Sequence, residues 1–165
     1  MLDGERGSWP AWTDHKIILR DTGRAMSEES TTPDLVELTR QAIQAVSRGD
    51  IDSLLSFYAP DALWDASVNG LGVFKGAEAI RGFVVGWQTT YGDYAAEAEE
   101  ILDLGNGVVL AAFRESGRPP GSKSRVEERR FTVTVWVDGL ASAVTFFQDI
   151  DEARAAAERL AKERG

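Results

Sequence analysis

The sequence predicts an α+β fold in which a curved, mixed or antiparallel sheet wraps around three helices, with an extra helix at the C-terminus. Three observations carry this expectation. Two segments with apolar residues at three- and four-residue intervals precede Pro60. A third places Ile80, Phe83, Val84, Trp87 and Tyr91 on one helical face, the clearest period in the chain. From Gly92 to Asp149 the pattern becomes extended and stays so. A short helix, a Pro-Asp break and a strand start over 51–66 further suggest a cone with a pocket at its mouth.

Residues 1–30 read as a poorly patterned extension, punctuated by Gly4, Gly7, Pro10 and Gly23, and 31–165 as the domain. Ile17 to Leu19 is too short an apolar run for a secretory signal, and Met26 is a candidate translation start. Thr32 is expected as N-cap, Pro33 at the first helical position and Asp34 in the first turn of a helix over 34–48. Leu35, Leu38, Ala42, Ala45 and Val46 form its buried face. Gly49 ends it, and Asp50 caps a short second helix that carries Ile51, Leu54, Leu55, Phe57 and Tyr58 before Pro60 stops it.

A first strand is expected over 62–68, then an Asn69-Gly70 turn, a loop with Gly72, Phe74 and Gly76, and the third helix. Strands follow over 94–104, 108–115, 124–137 and 140–149, the last two joined by Asp138-Gly139, a favoured two-residue hairpin turn. Ala153, Ala157 and Leu160 mark a C-terminal helix over 152–164, frayed at its end.

Composition narrows the function classes. The 165 residues suit one domain, and 43% hydrophobic residues suffice for a core. There are no cysteines, which removes disulfides and thiolate chemistry and fits a cytoplasmic protein. The single histidine, His15, lies outside the patterned region, so no metal site and no cofactor is expected. A net charge of -9 argues against nucleic acid as a partner. The basic run Lys123, Arg125, Arg129 and Arg130 is interrupted by Glu127 and Glu128 and reads as a solvated strand edge. No apolar window is long enough for a membrane helix.

The last hairpin carries a further expectation. With Asp138 and Gly139 as the loop, regular pairing sets Val137 against Leu140, Val135 against Ser142, Val133 against Val144 and Phe131 against Phe146. The opposite face then holds Thr132, Thr134, Trp136, Ala141, Ala143, Thr145 and Phe147. Neither face carries a charge through its middle, so both are expected to be covered. Helices cover one; a second subunit on the outer sheet face, making a homodimer, is the expected cover of the other.

The segments AVSRGDIDSLLSFYAPDALWD, GVFKGAEAIRGFVVGW and FTVTVWVDGLASAVTFFQDIDEA, in this order, resemble the nuclear transport factor 2-like superfamily and, within it, the SnoaL-like group. The resemblance implies a cone-shaped sheet, an apolar pocket and commonly a dimer. It also implies a range of activities, from ketosteroid isomerases and polyketide cyclases to epoxide hydrolases and binding proteins, so fold alone does not give function. Carried over residue by residue, the ketosteroid isomerase tyrosine falls on Ala42, its general base on Ala66 and its protonated aspartate near Val133, so that chemistry is not expected. A limonene-type epoxide hydrolase would use Arg114, but Ser116 and Phe146 stand where its acids would be.

Asp65 is the one carboxylate of the organising segment that could act in a pocket, although strand alternation points it away from Trp64. Tyr58, Trp64, Asp65, Phe74, Trp87, Phe113, Phe146 and Gln148 are the candidate ligand-binding residues, with core packing as the competing role of the aromatics. Arg114 beside Glu115 reads as a surface ion pair. Two readings remain open: a SnoaL-like protein that binds a small apolar, polycyclic or terpenoid-like molecule as a cyclase, isomerase or hydrolase, or a non-catalytic binding or dimerisation module.

Overall fold

The computed structural model describes residues 34–165, so Thr32, Pro33, the candidate start at Met26 and the proposed extension lie outside the described residues. Helices α1 (Leu35–Arg48) and α2 (Ile51–Ser56) lead into β1 (Tyr58–Asp65) and a single 3-10 turn, Ser67–Asn69. Strand β2 (Val73–Lys75) and helix α3 (Ala77–Thr90) follow. The chain closes with β3 (Gly92–Gly105), β4 (Val108–Arg118), β5 (Val126–Val137), β6 (Leu140–Phe147) and helix α4 (Ile150–Arg164). The six strands form one mixed sheet in the order β2-β1-β6-β5-β4-β3, with β1 parallel to β6 and every other pair antiparallel.

Local chemistry explains the first elements. Asp34 is the N-cap of α1, its Oδ1 accepting from the N–H groups of Val36 and Glu37 at 3.1 and 3.2 Å. Gly49 stops α1 at φ 76°, and Asp50 caps α2 through Ser53 N–H at 3.2 Å and Ser53 Oγ at 2.7 Å. Two expectations need correction. Helix α2 ends at Ser56, and both Tyr58 and Pro60 belong to β1. Pro60 sits where the register against β6 shifts between Tyr58 and Leu63, so its missing N–H breaks no ladder bond there. Residues 73–75, expected as loop, pair with Leu63 to Asp65 as an edge strand.

The β5–β6 hairpin also departs from regular pairing. Val137 does face Leu140, but a bulge at Ser142 pairs Trp136 with Ala141 and Val135 with Ala143. One extra residue in a two-residue period exchanges the faces of everything beyond it. Val144 and Phe146 therefore join Thr132, Thr134 and Trp136 on the inner face, while Ala143, Thr145 and Phe147 turn outward.

The outer face shows the largest difference. Leu102, Val108, Leu110, Ala112 and Val133 form its core, and helix α4 lies on them through Ile150, Ala153, Ala157 and Ala161. Small residues on α4 let the helix approach closely, and each fully buried Leu or Val beneath it contributes roughly 1.5–3 kcal/mol. Helix α4 thus covers the β3-β4-β5 part of the face on which a second subunit was expected. Nor is its end frayed: Asn106 Nδ2 donates to Ala161 O at 2.6 Å and Arg164 Nε to Asn106 O at 2.8 Å.

Candidate functional site

The inner face of the sheet, α1 and α3 enclose a cavity of about 90 Å3. Its floor is Trp64 on β1, which packs edge-on against Tyr58 and Phe83 at ring separations of 6.1 and 5.8 Å and lies 5.6 Å from Phe146. Phe146 reaches this position because of the Ser142 bulge. Along α3, Phe83, Trp87 and Tyr91 stack at 5.6 and 4.9 Å, one helical turn apart.

Of the residues singled out from the sequence, Tyr58, Trp64, Trp87, Phe113 and Phe146 line the cavity. The other three stand outside its lining, each for a definite reason. Asp65 alternates away from Trp64, and its Oδ1 accepts from Ser67 N–H and Oγ at 3.0 and 2.6 Å. These bonds, the hydroxyl first, hold its carboxyl below the usual range. Gln148 is exposed and donates to Val68 O at 3.0 Å. Phe74 packs behind the wall on Phe83, at 4.7 Å. Ala42 and Ala66 do line the cavity but bring no functional group, and Val133 lies on the outer face under α4.

The polar part of the wall includes Glu115 and Arg130, both expected on the surface, and Tyr94. Glu115 Oε1 accepts from Arg130 Nε at 2.8 Å, and its Oε2 from the Tyr94 hydroxyl at 2.7 Å. The side chains of Glu115 and Arg130 are only 15% and 17% exposed, so solvent screens this pair poorly. Arg130 Nη2 also meets Glu128 at 2.9 Å. Burial, reinforced by the Glu115 charge, pushes the Tyr94 phenol well above its ordinary value, and burial alone does the same for Tyr58. Both tyrosines are neutral hydroxyls at any ordinary pH. Elsewhere in the wall, Thr39 Oγ1 accepts from Trp136 Nε1 at 3.2 Å, whereas Trp64 Nε1 is buried with no acceptor among the described residues.

Arg114 and Glu115 are therefore not an ion pair. Successive strand residues face opposite sides. Arg114 pairs with Glu99 and Glu127 across the outer face, and Glu115 points inward with Phe113. The basic run divides in the same way: Arg129 bonds Glu99 at 3.0 Å, and Arg130 bonds Glu115. A signal for this was present, since Phe113 as a cavity residue implies Glu115 two positions on, and inward Thr132 and Thr134 imply Arg130.

A second, more polar pocket of about 160 Å3 adjoins the first and shares Trp87, Tyr94, Glu115 and Arg130 with it. Among the described residues no group of three or more His, Cys, Asp or Glu converges on a metal position, and no helix is long and apolar enough to cross a membrane.

Comparison with known proteins agrees with this architecture. The family model of the SnoaL-like domain matches residues 39–156. No curated protein matches the chain. Among solved structures, the chain is similar to TerC co-crystallised with polyporic acid, at 16% identity over 74% of this chain and 97% of that one, with a TM-score of 0.60. It is similar to a Catenulispora acidiphila protein of ketosteroid isomerase-like fold in complex with trimethylamine, at 15% identity over 76% and 93%, TM-score 0.61. A candidate polyketide cyclase from Xanthomonas campestris pv. campestris shares 20% identity over 73% and 94%, TM-score 0.58. At these identities the likeness is one of fold.

Proposed function

Because the chain belongs to the SnoaL-like domain family, we propose that its cavity binds a small, mostly apolar molecule and that Glu115 exchanges a proton with it. The observation that carries this reading is a single carboxylate, Glu115, held by Arg130 and Tyr94 in a mostly apolar wall. The likeness to a candidate polyketide cyclase supports it. In such chemistry a carboxylate takes a proton from carbon beside a carbonyl, the electron pair moves onto the carbonyl oxygen, and the proton returns to a different atom. Tyr58, a neutral hydroxyl in the same wall, is the candidate donor to that oxygen. Tyr58, Trp64, Trp87, Phe113 and Phe146 are the proposed apolar contacts.

A second reading, binding without turnover, draws on a different observation. Glu115 already accepts two hydrogen bonds, so both of its oxygens are engaged by protein donors before any ligand enters. A panel of monocyclic, polycyclic and terpenoid ketones separates the readings. Binding should raise the melting temperature, by the equivalent of about 2.7 kcal/mol at a hundredfold excess over Kd. If ketones bind and Glu115→Gln abolishes their conversion while binding persists, the catalytic reading holds. Binding without conversion by either form leaves a binding protein, and no shift with any compound sinks both.

Self-association belongs with this proposal in altered form. With α4 on the outer face, the apolar residues still exposed on that side are Leu63, Val73, Val137 and Leu140, at the β2-β1-β6-β5 end. We assign any homodimer contact to this strip, and Leu63→Lys with Leu140→Lys should leave a monomer by sedimentation. A dimer unchanged by both substitutions would refute the assignment.

A further inference from the structure

We infer that the two adjoining pockets are one site, and that its ligand is an uncharged amphiphile whose ring enters the inner cavity and whose hydrogen-bonding tail lies in the outer pocket. The inference rests on the small-molecule reading above and adds the ligand's shape and charge.

Volume is the first argument. The inner cavity measures about 90 Å3. A water in the liquid takes roughly 30 Å3, and a cavity known to take up one benzene measures ~150 Å3. By this measure not even one ring lodges wholly inside, so a ring that enters and rests on Trp64 reaches the opening. The outer pocket, about 160 Å3, lies there and shares Trp87, Tyr94, Glu115 and Arg130 with the cavity. Aromatic surface continues between the two: Phe83 lines the inner space, Trp87 both and Tyr91 the outer.

Charge at the neck is the second argument. Arg130 gives Nε to Glu115 and Nη2 to Glu128, two contacts for a guanidinium that carries five N–H donors. This guanidinium still has hydrogen bonds to offer, but its charge is already opposed by two carboxylates. It suits a carbonyl or hydroxyl oxygen. A carboxylate on the ligand would meet two like charges and only one opposite charge.

Three probes with the same ring test this: butylbenzene, 4-phenylbutanol and 4-phenylbutyrate, titrated calorimetrically into the full chain and its Glu128→Gln variant. Glu128 is 61% exposed, so the variant should fold normally. The alcohol should bind about fivefold more tightly than butylbenzene, and the carboxylate about tenfold more weakly than the alcohol. Glu128→Gln should strengthen carboxylate binding about tenfold and leave butylbenzene within twofold. Equal affinity of alcohol and hydrocarbon, or a carboxylate indifferent to Glu128, overturns the two-part site but leaves cavity binding intact. Failure of all three probes to bind overturns cavity binding as well.

Discussion

At Glu115 the fold accepts a cost that an apolar side chain would avoid. A carboxylate and a guanidinium removed from most of their water are tolerable here because each finds hydrogen bonds: Tyr94 and Arg130 on Glu115, and Glu128 on Arg130. Glu115→Ala leaves Arg130 facing only an exposed partner and Tyr94 without an acceptor. It should cost about 3 kcal/mol in urea unfolding, whereas Glu115→Leu combined with Arg130→Leu should recover most of that loss. Tyr94→Phe removes one charge-assisted bond, about 1–2 kcal/mol. Asp65, the one carboxylate of 51–66 that could have acted in a pocket, bonds Ser67 at the start of the 3-10 turn. Its folded pKa is depressed, so its charge contributes stability that is present above the unfolded value of ~3.9 and lost as pH falls through the folded value. Asp65→Asn should lower the melting temperature at pH 6, and the difference from wild type should close progressively below about pH 4.

Element geometry decides which side chains meet in the cavity. Gly107, in the β3–β4 turn, takes φ 83°, and its carbonyl accepts the Trp136 N–H at 2.7 Å beside the bulge. A Cβ there would lie 2.4 Å from the Trp136 carbonyl oxygen. Gly107→Ala combines this clash with an unfavourable backbone conformation and should destabilise by about 2–3 kcal/mol in thermal unfolding, with altered Trp136 fluorescence. Asp34→Ala removes the α1 cap and should cost only about 1 kcal/mol. The contrast follows from position: the cap is exposed at a helix end, while the turn braces the register that turns Val144 and Phe146 inward.

For the molecule as a whole, α4 sets the surface available for assembly. It covers Leu102, Leu110 and Val133 and is fastened at its far end by Asn106. A chain ending at Asp149 would expose this patch. It should aggregate, or form a dimer absent at the same concentration in the full chain, as light scattering would show. A truncated chain that stays monomeric and fully soluble would mean that α4 is not an essential cover.

The sequence by itself determined the family, the order of helices and strands, the turns at Gly49 and Asp138-Gly139, and the aromatic stripe of α3. These follow from local periodicity and from backbone conformations few residues can adopt. It also held Trp64, Trp87 and Phe113 of the cavity wall, because inward strand positions and one helical face are countable. Tertiary structure alone decided the rest. A one-residue bulge at Ser142 exchanged the faces of half of β6, and no local pattern marks such a bulge. Pairing of β4 with β5 brought Glu115 and Arg130 together, and only three-dimensional distance distinguishes a partner on the adjacent strand from a neighbour in sequence such as Arg114. How much of the outer face stays exposed depended on where α4 docks; its Ala-rich surface suits both solvent and a closely packed sheet.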